Sequence, residues 1–165
     1  MLSKGFTFAA VSGRTLGAKI NHPMTQIIRD LSNDLILRLE SQRKWVRDHY
    51  ENDAYEIYQT LNGKLELLDI IIKSNWINKT EKYKLQCLGI TLGDALVQDL
   101  GFNWIEIEDE YGVDPAIKYK NTSLILFPLT MISKRIENDE FVDIFKLFEH
   151  LKSKVIELKD KVDKQ

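Results

Sequence analysis

Residues 102–109 read Phe102-Asn103-Trp104-Ile105-Glu106-Ile107-Glu108-Asp109. A period of two puts Ile105 and Ile107 on one face of a strand and Trp104, Glu106 and Glu108 on the other. The residues that follow, Tyr111-Gly112-Val113-Asp114-Pro115, carry turn chemistry: glycine for positive φ, and Asp-Pro to open a bend. Residues 116–120 then read as a second strand and Asn121-Thr122 as a second turn. Residues 123–127 are apolar on both faces, which predicts a central third strand, ended by Pro128. The expectation is a three-stranded antiparallel meander, and the gathering of strands in one stretch argues against a parallel βαβ sheet.

On either side the period lengthens to that of a helix. Leu85, Leu88, Leu92, Leu96 and Val97 form the stripe of a helix over about 80–100, ended by Gly101 as a left-handed cap. Gly89 and Gly93, four apart, share a face and allow another element to approach the backbone. A helix over about 53–73 is predicted by Ala54, Ile57, Leu61, Leu65, Leu68 and Ile72, with Asp53 as cap and Gly63 weakening its middle. Past His22-Pro23, the spacing of Ile27, Ile28, Leu31, Leu35, Leu39 and Val46 predicts a first helix, with Arg29, Asp34, Arg38 and Arg47 on its solvated face. After the polar break Glu137-Asn138-Asp139-Glu140, a long C-terminal helix is expected over about 141–162, with Phe141, Phe145 and Phe148 in the core. The fold class is α+β, with helices packed on a small antiparallel meander whose strands follow the third helix.

The chain has 165 residues, 44% hydrophobic and 29% charged, with a formal net charge of −2. That composition excludes disorder, and the charge argues against a nucleic-acid coat. Cys87 is the single cysteine, so neither a disulfide scaffold nor a Cys-rich zinc site is available within one chain. The longest apolar runs, such as Leu124-Ile125-Leu126-Phe127, fall far short of the ~20 residues that span a bilayer. Residues 1–24 hold Lys4, Arg14 and Lys19 and no acid, and read as a flexible arm without an export signal. Residues 25–165 are expected to form one α+β domain in the cytoplasm.

Catalytic templates do not match. Gly13 to Lys19 has the wrong spacing and ending for a phosphate-binding loop. No nucleophile elbow or dinucleotide fingerprint occurs, and His22, His49 and His150 stand far apart. Cys87 reads as a small buried thiol. No cofactor or metal is expected.

The strongest local anomaly is residues 106–114, with five carboxylates and no basic residue. Like charges this dense need compensation. Three readings stand: a solvated strand edge protected against pairing, an internal ion network with Lys134 and Arg135, and a recognition surface for a basic partner or a cation. The calcium-loop spacing fails, and Glu106 with Glu108 lacks the aromatic cleft of a glycosidase pair. Trp104 belongs either to the core or to a patch in which the ring supplies area and the acids supply steering.

Several stretches taken together carry a family resemblance: Leu85-Gln86-Cys87-Leu88-Gly89 with Gly93-Asp94-Ala95; Trp104; Asp109-Glu110-Tyr111-Gly112 with Asp114-Pro115-Ala116; Phe127-Pro128-Leu129-Thr130-Met131-Ile132 with Lys134-Arg135; and Val142-Asp143 with Leu147-Phe148. The chain resembles the DUF3806 family, bacterial proteins of unknown function, over about residues 42–155. The resemblance implies a compact bacterial domain and no particular activity. It favours Asp109, Glu110, Lys134 and Arg135 as a linked constellation.

The resulting expectation is a non-enzymatic cytoplasmic protein-interaction module. Its specific form is an immunity protein that neutralises a bacterial toxin through the acidic strand and turn. The expected binding residues are Trp104, Glu106, Glu108, Asp109, Glu110, Tyr111, Asp114, Lys134 and Arg135. The rival is a small-ligand binder or enzyme with a polar site around Asp109, Glu110, Lys134 and Arg135. Neither nucleic acid nor membrane is an expected partner.

Overall fold

The computed structural model describes residues 25–50 and 54–164. The arm expected over 1–24, and the expected cap Asp53, lie outside the described residues. In chain order the elements are β1 (Ile27–Arg29), α1 (Asn33–Arg47), α2 (Ala54–Tyr58), α3 (Leu61–Lys73), α4 (Lys82–Leu100), β2 (Phe102–Asp109), β3 (Gly112–Tyr119), β4 (Ile125–Leu126), a single 3-10 turn (Pro128–Thr130), α5 (Ser133–Glu137) and α6 (Ile144–Val162). The α+β class holds, with a long C-terminal helix.

Among the described residues the sheet has four strands, not three, in the order β1-β2-β3-β4, each neighbour antiparallel. The extra strand comes from the start of the segment predicted as the first helix. Ile27, Ile28 and Arg29 pair with Glu108, Ile107 and Glu106, satisfying the free edge of β2. The helix begins only at Asn33, where the Ser32 hydroxyl accepts the Leu35 N–H at 3.4 Å. At the other end β4 is a two-residue edge strand, not a central one. Pro128 turns the chain into the 3-10 segment directly afterwards.

The helix predicted over 53–73 is two helices. Thr60 breaks it, its Oγ1 accepting the Gly63 N–H at 2.9 Å as the cap of α3. Gly63 is the signature of that junction: a Cβ there would sit 2.0 Å from the Ile57 carbonyl oxygen. α4 is the central helix, with eleven buried residues and Gly101 ending it at φ 74°. Its two glycines bring other elements onto its backbone. A Cβ on Gly89 would lie 2.5 Å from the Leu129 carbonyl oxygen, and one on Gly93 would lie 2.6 Å from the Trp104 ring. α6 starts three residues later than predicted, at Ile144, where Asp143 accepts the Lys146 N–H at 3.1 Å. Phe148 is buried, but Phe145 is 39% and Phe141 85% exposed, which corrects their placement in the core.

The sheet has two unlike faces. Phe102, Ile117, Tyr119 and Leu126 pack into the main core with the helices. On the opposite face Ile105, Ile107, Ala116 and Ile125 form their own cluster, joined by Phe127.

Candidate functional site

The acidic segment is largely answered from within the fold. Glu106 is 3% exposed. Its Oε1 accepts Arg29 Nε at 2.7 Å, and its Oε2 accepts the Ser32 backbone N–H at 3.1 Å, at the N-terminus of α1. Hydrogen bonding from Ser32, then from Arg29, lowers its pKa to about 2. Arg29 also donates Nη2 to Glu108. The outward orientation expected for Glu106 is therefore corrected. The cause is the unforeseen strand β1, whose register sets Arg29 opposite Glu106 on the same face. The Asp109 carboxylate accepts the Tyr111 N–H at 2.9 Å across the turn. At the tip Glu110 is exposed and Tyr111 is 61% exposed, while Asp114 is half-buried on β3.

Lys134 and Arg135 lie on α5. Arg135 donates Nη1 to the Met131 carbonyl at 2.6 Å. Among the described residues no ion pair joins either cation to Asp109 or Glu110. Trp104 is turned inward: its ring covers Gly93, and its Nε1 donates to Asp94 Oδ1 at 2.8 Å.

Asp94 is the polar centre of the fold, and the composition of the chain gives no hint of it. Arg43 on α1 meets it with Nε to Oδ2 at 2.7 Å and Nη2 to Oδ1 at 2.9 Å. Tyr58 on α2 donates its hydroxyl to Oδ2 at 2.5 Å and stands 3.3 Å from Thr91 Oγ1. Burial pushes the Tyr58 hydroxyl well up, and the Asp94 charge adds to it. Burial works against the Arg43 cation, yet the Asp94 carboxylate raises its pKa overall. Lys64, also buried and with its pKa lowered by burial, donates to Gln98 at 2.7 Å and stands 5.0 Å from the Tyr58 ring centroid. One residue before Arg43, the Gln42 amide is fully buried with no hydrogen-bond partner at either polar atom. The Gly93-Asp94-Ala95 stretch within the family resemblance was the one signal pointing to this node.

A groove of about 840 Å³ opens elsewhere, between the connection after α3 and the segment after α5. Ile71, Leu88 and Val142 are buried in its floor, and Trp76 and Phe141 stand at its rim, 49% and 85% exposed. The Trp76 ring packs at a tilt against His49, centroids 5.0 Å apart, and His49 packs in turn, also tilted, against Trp45 at 4.0 Å. Lys79 bridges to Asp139 at 2.9 Å. Asn75 and Asp139, both lining residues, hold φ of 53° and 58°.

Among the described residues no group of three or more His, Cys, Asp and Glu could hold a metal ion. Burial pushes the Cys87 thiol up to about 12, far from a nucleophilic thiolate. No described helix is long and apolar enough to cross a membrane.

The family model of DUF3806, a domain of unknown function, matches residues 64–148, and the chain belongs to that family. No curated protein matches. A 1.50 Å crystal structure from Bacteroides thetaiotaomicron VPI-5482 shares the fold, with a TM-score of 0.61 at 17% identity over 82% of this chain. This chain spans about half the length of that one, 49%.

Proposed function

We propose that this domain is a non-enzymatic protein-interaction module, with its contact surface at the groove beneath Trp76 and Phe141. The observation that carries the reading is Phe141, 85% exposed beside a groove of about 840 Å³ with an apolar floor. Burying such a side chain is worth about 1.5–3 kcal/mol, and a rigid aromatic at the centre of a contact is a common energetic anchor. Trp76 stands beside the groove, its ring packed against His49. Charge selects the partner. Lys73 and Lys79 are already paired, with Asp69 and Asp139. Glu140 on the other wall is in no described ion pair, so the groove favours a protein segment with an apolar anchor beside Lys or Arg.

The immunity reading is the specific form of this proposal, with a toxin as the partner and the exposed Glu110 at the hairpin tip adding steering. The ligand or enzyme reading around Asp109, Glu110, Lys134 and Arg135 is less favoured, because none of the four lines the groove and the Arg135 guanidinium donates to the Met131 carbonyl.

Display of a random peptide library against the full chain tests the proposal. Enrichment of aromatic or aliphatic residues flanked by Lys or Arg, lost on Phe141→Ala but kept on Glu108→Ala, is expected. Binding that is indifferent to Phe141 and Trp76 overturns it. Phe141→Ala should change stability by no more than about 0.5 kcal/mol, so loss of binding reports on contact and not on folding.

A further inference from the structure

Each wall of the groove beneath Trp76 and Phe141 carries an aromatic ring and, close to it in sequence, a charge. Lys79 stands three positions after Trp76, and Asp139 two positions before Phe141. The two charges join the walls: Lys79 Nζ donates to Asp139 Oδ1 at 3.0 Å and to Oδ2 at 2.9 Å. Among the described residues no other hydrogen bond or ion pair ties the connection after α3 to the segment after α5. Both side chains are open to water, Lys79 at 51% and Asp139 at 76%. An ion pair so exposed is held weakly and exchanges its partner at little cost. Glu140, the next residue, is exposed and lines the same wall, so a second carboxylate stands beside the first.

We infer that Lys79 is a built-in competitor for Asp139, displaced when a partner brings an arginine to the groove. The inference rests on the groove as the contact surface and names what selects the partner. Cα atoms two positions apart lie within roughly 7 Å, so an arginine next to an apolar anchor packed on Phe141 reaches Asp139. Its planar fork bonds both carboxylate oxygens with separate nitrogens, where Lys79 shares one nitrogen between them. A partner without a cation leaves the bridge closed and gains nothing from Asp139. The bridge thus discriminates among apolar segments by their flanking charge.

The test titrates the synthetic peptide acetyl-Ala-Arg-Trp-Arg-Ala-amide into the full chain and follows amide shifts by NMR, with thermal melting to check that each variant is folded. Lys79→Met keeps the apolar stem and frees Asp139, and should tighten binding about two- to fivefold. In an Asp139→Asn chain the same Lys79→Met change should bring no gain, because there is no longer a carboxylate to release. An equal gain in both backgrounds means that Lys79 merely repels the peptide, and overturns the inference. Peptide that loses affinity on Phe141→Ala yet is unmoved by Lys79→Met also overturns it, and leaves the groove reading standing. Peptide that does not bind, or binds regardless of Phe141→Ala, removes both.

Discussion

Arg43 and Asp94 meet edge to edge, Nε on Oδ2 at 2.7 Å and Nη2 on Oδ1 at 2.9 Å. The fork matches the carboxylate on both sides, the strongest geometry such a pair adopts. The same two oxygens also take the Tyr58 hydroxyl and the Trp104 indole N–H. Three elements are thereby tied through polar bonds to one turn of α4.

Asp94→Asn keeps the shape and removes the charge. Arg43 is then left mostly buried with only Glu40 near it, at 3.6 Å, and the loss should be about 2–4 kcal/mol, below the full buried-pair range because that pair remains and the guanidinium keeps some contact with water. Urea denaturation followed by tryptophan fluorescence measures it. A variant within about 0.5 kcal/mol of the parent would remove Asp94 from the account of stability.

Gly93→Ala drives a methyl into the Trp104 ring, 2.6 Å from its nearest atoms. The ring is anchored to Asp94 and cannot swing aside without breaking that bond. The expected cost is about 1–3 kcal/mol, with a shift in tryptophan emission. Gly101→Ala meets no atom within 4 Å and suffers only from its φ of 74°. Its cost should be smaller, about 1 kcal/mol. Equal melting temperatures for Gly93→Ala and the parent would contradict the tight approach.

Glu106 makes stability depend on acid. Its folded pKa is about 2, against an ordinary value of 4.5. A depressed carboxyl contributes fully above its unfolded pKa, and the contribution disappears as pH falls through the folded value. The parent should therefore lose stability between pH 4.5 and about 2 on account of this group. Glu106→Gln should be weaker than the parent at pH 7, with the gap closing toward pH 2. Urea midpoints that run parallel for the two proteins across this window would refute the assignment.

Gln42→Leu should stabilise. Its amide is fully buried with neither polar atom hydrogen-bonded. Removing an unsatisfied buried amide at similar volume recovers about 1–3 kcal/mol. A denaturation midpoint at or below that of the parent would show that the amide is paired in solution.

The alternation of Trp104 to Glu108 and the stripe of α4 were legible because burial writes its period directly into one stretch of chain. The four-strand sheet was not, because Ile27 and Ile28 fit a helical spacing as well as a strand, and only the open edge of β2 decides between them. Thr60 and Gly63 hid the break between α2 and α3 for a related reason: Gly63 reads as a weak helical position until the Ile57 carbonyl is seen against it. The candidate site was harder still. Arg29 answers Glu106 across 77 positions, and Arg43 answers Asp94 across 51. No local pattern announces a counter-ion at such a distance. Phe141 sits one position in sequence from the buried Val142, and its exposure follows from the late start of α6.

The span recognised as the family domain, residues 64–148, contains Asp94 and Glu106 but leaves out Arg29, Arg43 and Tyr58. Cut at those limits, the fragment would hold Asp94 and Glu106 without the cations that face them. A piece that keeps both carboxylates paired must therefore begin before Arg29.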